Sequence, residues 1–115
     1  ACAAALATLE LYESEQLFDR AAKLAPYWED AVHSLKDGKN VIDIRNIGLV
    51  AGIEIAARDG APAARGYDCF VRCFEEGLML RQSGDTVALA PPLIIEKTEI
   101  DRIIEILRNV INDLD

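Results

Sequence analysis

The sequence predicts an α+β fold, a small and mostly antiparallel sheet of about four strands with helices packed on one face. Three observations predict it. Long stretches near both ends repeat apolar residues at helical spacing. Short β-rich runs lie between them. Two of those runs are joined by Ser83-Gly84-Asp85, a hairpin signal.

The elements follow in order. Ala1 to Glu13 is rich in Ala, with Leu6, Leu9 and Tyr12 at helical spacing, and Ala and Leu favour helix. Such a start reads as the interior of a helix already under way, so the natural protein is expected to continue upstream. Ser14 is placed as the N-cap of a second helix. That helix carries the stripe Leu17, Ala21, Leu24, Trp28, Val32 and Leu35. Pro26 lies inside it, and because the stripe survives past the proline a kink is expected rather than a break. Gly38 closes the helix.

Val41 to Ile44 is a first strand, Asn46-Ile47-Gly48 a bend, and Leu49 to Ala56 a second strand. In the second strand Leu49, Ala51, Ile53 and Ile55 share one face, and Val50, Gly52, Glu54 and Ala56 the other. After the turn Arg58 to Pro62 a helix runs from about Ala63 to Glu76, with Tyr67, Phe70, Val71 and Phe74 as its apolar stripe. Leu78 to Gln82 and Thr86 to Ala90 form the hairpin, and Pro91-Pro92 stops its second strand. Thr98 and Asp101 resemble a capping box for a last helix bearing Ile100, Ile103, Ile104, Leu107, Ile111 and Leu114.

Bulk properties exclude several functions. One domain fits 115 residues. A net charge of -8 repels phosphate backbones and anionic lipid, so neither a nucleic acid nor a membrane is expected as a partner. No apolar run approaches the roughly 20 residues that span a bilayer. The three cysteines, Cys2, Cys69 and Cys73, have no disulfide-framework spacing, which points to reduced thiols and a cytoplasmic protein.

Few residues invite chemistry. Cys69 and Cys73 could supply half of a zinc site, but the other half is missing, so they read as core thiols and no metal is assigned. His33 is the only histidine and reads as a surface or helix-end residue. The neighbouring acids Glu75-Glu76 and Glu29-Asp30 point in different directions on a helix, so they make poor acid–base pairs. Gly48 to Gly52 lacks the Lys-Ser/Thr ending of a phosphate loop. Arg81 stands at the end of an apolar strand, where a guanidinium can grip a carboxylate with two parallel hydrogen bonds. Its position alone favours an edge charge that discourages sheet-to-sheet aggregation.

Several blocks occur together in a fixed order. They are Ala1 to Leu9, Arg45-Asn46-Ile47-Gly48-Leu49 followed by Gly52-Ile53-Glu54, and Gly77-Leu78-Met79-Leu80-Arg81 through Gly84-Asp85 to Ala90-Pro91-Pro92-Leu93-Ile94. In that order they resemble the end of class III pyridoxal-phosphate aminotransferases, most nearly the omega-amino-acid:pyruvate (β-alanine:pyruvate) type. The resemblance implies that residues 1–13 end an interdomain helix and residues 14–115 form the carboxy-terminal small domain. It implies a large domain that holds pyridoxal 5'-phosphate, a homodimer or higher homo-oligomer, and small amino and keto acids as substrates.

The resemblance also gives Arg81 the role of binding the substrate carboxylate, which reverses the reading from position. In the family the cofactor lysine lies upstream of this segment. Lys23, Lys36, Lys39 and Lys97 stand in no matching setting, so the chain is expected to contain no catalytic or cofactor-binding residue and to be inactive alone. An apolar docking patch is expected where the large domain would sit. The rival readings are another class III enzyme, such as an aminomutase or a decarboxylating transaminase, and a stand-alone α+β interaction module.

Overall fold

A computed structural model describes residues 1–115. Helix α1 spans Cys2–Ser14 and α2 Leu17–His33, followed by a 3-10 turn at Ser34–Asp37. Strand β1 is Val41–Ile47 and β2 Val50–Ile55, then come α3 (Ala64–Glu75), β3 (Arg81–Ser83), β4 (Thr86–Leu89) and α4 (Lys97–Asp113). All strand pairs are antiparallel, in the order β1-β2-β4-β3. This is the expected α+β architecture with four strands.

One face of the sheet is sealed. Ala51, Ile53 and Ile55 of β2 and Val87 and Leu89 of β4 are buried against the helices. From α2 come Trp28 and Val32, and from α4 Ile100, Ile104, Leu107 and Ile111, as their 3.6-residue periodicity requires. The opposite parity of β2, Val50, Gly52 and Glu54, is partly or fully exposed. No helix covers that side.

Several local expectations are corrected. Ser14 does not cap α2, because it is the last residue of α1. The N–H of Glu15 still bonds to Leu11, and the break comes at Gln16, which takes a left-handed conformation (φ 50°). Helix α2 then runs through Pro26 as one element. Strand β1 extends to Ile47, which pairs with Val50 across a tight turn at Gly48-Leu49, so Asn46 lies in the strand rather than in a bend. The first hairpin strand shrinks to Arg81–Ser83, although Leu78 and Leu80 remain buried and Met79 exposed. The capping box of α4 is formed by Glu96 and Glu99, one turn before its main apolar face begins, and not by Thr98 and Asp101.

The largest correction concerns α3. Its buried face is Gly66, Cys69 and Cys73, while Tyr67 and Phe74 are exposed. Gly66 sets this rotation. A Cβ there would lie 2.3 Å from the Gly84 carbonyl oxygen, so the helix meets the β3–β4 turn backbone to backbone. The Asp85 carboxylate locks the contact by accepting the N–H groups of Ala63 (2.7 Å) and Gly66 (2.9 Å) at the start of the helix. Tyr67 and Phe74 are thereby turned outward, while Phe70 stays partly buried against the core.

Candidate functional site

Pairing register builds the open face of the sheet. Directly opposed residues of an antiparallel pair share a face. Arg45 opposes Gly52, Gly52 opposes Ala88, and Ala88 opposes Arg81. Two arginines on the outer strands therefore flank a floor of glycine and alanine, their backbones about 14 Å apart at three strand spacings. The neighbouring row is Asp43, Glu54, Thr86 and Ser83.

The two arginines differ in their surroundings. Arg45 donates to Asp43 (2.5 Å) and to Glu54 (3.1 Å). Those bonds raise its pKa and occupy its charge. Arg81 has only neutral Thr86 and Ser83 at the corresponding positions. Seven of the eight arginines are hydrogen-bonded within the chain, and Arg81 is the exception. Its side chain is exposed. An uncommitted guanidinium on a short strand can accept an anion without first breaking an ion pair.

Beside Arg81 along the chain lies an apolar hollow of about 420 Å3 lined by Leu78, Met79, Ala90, Pro91 and Pro92 among others. A larger cleft of about 630 Å3 lies where α2 and α4 begin. Its walls mix Glu15, Asp19, Lys23 and Lys97, so it presents no single sign of charge.

The floor has a property of its own. A Cβ on Gly52 would meet Thr86 Cγ2 at 3.6 Å and Arg45 Cγ at 3.8 Å, ordinary contacts. The chain itself has room for alanine there. The missing side chain leaves the floor open to approach from outside the chain.

The other candidates fall into structural roles. Cys69 and Cys73 are fully buried, and no group of three potential metal ligands exists. Their mutual hydrogen bond, with burial, pushes the Cys69 thiol up, and the same bond lowers Cys73. His33 ends α2, and its Nε2 lies 2.8 Å from Asn46 Oδ1, while Asn46 donates to Glu29 at 2.9 Å. That chain of contacts ties α2 to β1. Glu29, Asp30, Glu75 and Glu76 are all exposed.

Lys23, Lys36, Lys39 and Lys97 are exposed too, and none lies in a strand of the sheet that carries Arg81. Lys97 instead sits over the Tyr27 ring, 4.9 Å from its centroid. These residues do not fit a pyridoxal-phosphate site, and no chemical step is assigned to them.

Residues 1–111 match the family described as aminotransferase class III. The chain belongs to the class III aminotransferases. It is 56% identical over 115 residues to the omega-aminotransferase of Caulobacter vibrioides, covering 100% of this chain and 26% of that protein. It is 38% identical to the β-alanine–pyruvate aminotransferase of Pseudomonas aeruginosa over 99% of this chain and 25% of that protein.

Among solved structures it superposes on an adenosylmethionine-8-amino-7-oxononanoate aminotransferase from Methanocaldococcus jannaschii with a TM-score of 0.89 and 30% identity. That match covers 99% of this chain and 27% of the other. The chain thus spans about a quarter of the length of these class III relatives.

Sequence reasoning had singled out Arg81. The Gly52–Ala88 floor and the contact of Arg45 with Glu54 depend on strand order and are not legible in the sequence. The signals the sequence does carry are the parity of Gly52 and Glu54 within β2 and the two-residue spacing of Asp43 and Arg45 on one strand. No helix is long and apolar enough to cross a membrane.

Proposed function

We propose that the whole protein transfers an amino group from an omega-amino acid or amine to pyruvate, with pyridoxal 5'-phosphate held by residues outside this chain. Within it, α1 is the end of an interdomain helix and residues 14–115 form the small domain that closes the active site. The open sheet face looks towards the large domain, and the full protein works as a homo-oligomer in the cytoplasm. The kinship with omega- and β-alanine–pyruvate aminotransferases supports the substrate class.

The observation that carries the reading is the unpartnered Arg81 on a face with neutral neighbours. Its guanidinium takes the carboxylate of pyruvate or of the amino acid in a bidentate grip and thereby orients the reacting carbon. The flexible stem lets the same side chain swing aside for an amine that has no carboxylate. The chain alone supplies no lysine suited to the cofactor and is inactive by itself.

The test is Arg81→Leu in the full-length protein. The KM for pyruvate should rise about tenfold to a hundredfold, the loss of one charge-assisted contact. The KM for a carboxylate-free amine should change little. Equal losses for both substrates would refute the clamp.

A further inference from the structure

We infer that Arg20 is a positioning residue for the carboxylate site, holding from helix α2 the segment that walls the hollow beside Arg81. The inference rests on the reading of Arg81 above and adds a residue remote from it in sequence.

The segment joining β4 to α4 needs outside support. Pro91 and Pro92 contribute no N–H groups. Its internal backbone bonding is a single turn, Ile95 N–H to the Pro92 carbonyl at 3.0 Å. The carbonyls of Leu93 and Ile95 therefore look elsewhere for donors.

Arg20 supplies both. One terminal nitrogen donates to the Leu93 carbonyl at 2.5 Å and the other to the Ile95 carbonyl at 2.6 Å. The second nitrogen also lies 3.5 Å from the Glu96 carboxylate. Glu96 is the N-cap of α4, so one planar group fixes both the segment and the start of the helix. The Arg20 side chain is 32% exposed, which shields these bonds from most solvent competition. A lysine has no fork with which to hold two carbonyls at once.

The consequence reaches the site through Pro91 and Pro92. They form the rim of the hollow with Met79 and Ala90, and Met79 precedes Arg81 by two residues. Ala90 directly follows β4, whose Ala88 opposes Arg81. Arg81 does not itself line the hollow, so the rim acts on it through the placement of Met79 and Ala90 beside the Arg81–Ala88 pair, and displacements of about an ångström are costly for a bound reactant.

The experiment uses the full-length protein with Arg20→Lys, Arg20→Leu and Arg81→Leu. Amide hydrogen exchange is read over residues 90–96, and KM and kcat are measured for pyruvate. Both Arg20 variants should speed exchange in that segment about tenfold, as loss of a charged hydrogen bond implies, with helix α2 unchanged. Both should raise the pyruvate KM about fivefold while kcat stays within about twofold.

Unchanged exchange would overturn the inference, as would a lysine variant with the parental KM. If Arg20→Leu does not fold, the lysine variant decides. Failure of the underlying Arg81 reading has a separate signature: Arg81→Leu leaves the pyruvate KM unchanged while Arg20→Lys still speeds exchange.

Discussion

The two faces of the sheet obey different rules. The two central strands of the closed face bury only hydrocarbon, with Ile53 and Val87 fully buried under Trp28, Ile100 and Leu107, and the polar Asn46 and Gln82 lie on the edge strands. The open face, built by the alternate residues of the same strands, carries Arg45, Gly52, Ala88 and Arg81 in one row. On the closed face neighbours inside the chain account for each residue. On the open face they account for Arg45, through Asp43 and Glu54, but not for Gly52 or Arg81. Under the proposed function, these residues are the ones assigned to the rest of the protein and its substrate.

The contrast can be broken by substitution. The largest effect is expected from Ile53→Ala on the closed face, which should cost about 2–5 kcal/mol through lost burial and a residual cavity. The midpoint of urea unfolding measures it. On the open face, Gly52→Ala in the adjacent register position should leave stability unchanged or raise it by about 0.4–1 kcal/mol, since the methyl fits and the unfolded chain loses freedom. The pyruvate KM should nevertheless rise, because the methyl fills the floor beside Arg81. A stability loss at Gly52 comparable to that at Ile53 would erase the distinction between the faces.

The smallest effect lies on neither face. Arg58 bonds to Asp115 and Asp68, and the Arg58 guanidinium holds the Asp115 carboxyl below its ordinary value. A folded-state pKa lowered in this way adds stability that is complete above the unfolded value near 3.8 and is lost as pH falls through the lower folded value. The pair is exposed, so the increment is small. Asp115→Asn should therefore remove a slight acid dependence of the thermal midpoint below about pH 4, with no change in the sensitivity of pyruvate use to Arg81.

Helix α1 extends the same lesson. Its residues are mostly apolar, with Thr8, Glu10, Glu13 and Ser14 the exceptions and no single apolar face, and Leu6, Leu9 and Leu11 are exposed, with none of the helix buried. A helix of that composition is normally covered on every side. Like Gly52, it is left uncovered by the rest of this chain, which spans about a quarter of the class III relatives' length.

Local order was legible in the sequence wherever one periodicity had one solution. The stripes of α2 and α4 and the parity of β2 each admitted a single buried face, because a helix repeats at 3.6 residues and a strand at 2. The family blocks from Arg45 to Ile94 were likewise readable as they stood. Helix α3 could be read two ways, and its aromatic stripe looked like the better core. Cys69 and Cys73 are the core thiols the sequence led one to expect, but only the contact of Gly66 with the Gly84 carbonyl, between residues far apart in the chain, decided that Tyr67 and Phe74 turn outward.

The site follows the same division. The sequence by itself determined that Arg81 belongs to the first hairpin strand, which in the structure it opens rather than ends, and that β2 has a small residue on its polar parity. Strand order decided that Gly52 and Ala88 lie between Arg45 and Arg81, and side-chain packing decided that Arg45 is neutralised while Arg81 is not. Whether a cation is free depends on which charges lie within a few ångströms of it. Asp43 stands two residues from Arg45 on the same strand, but Glu54 comes from β2, and only strand pairing brings it to Arg45.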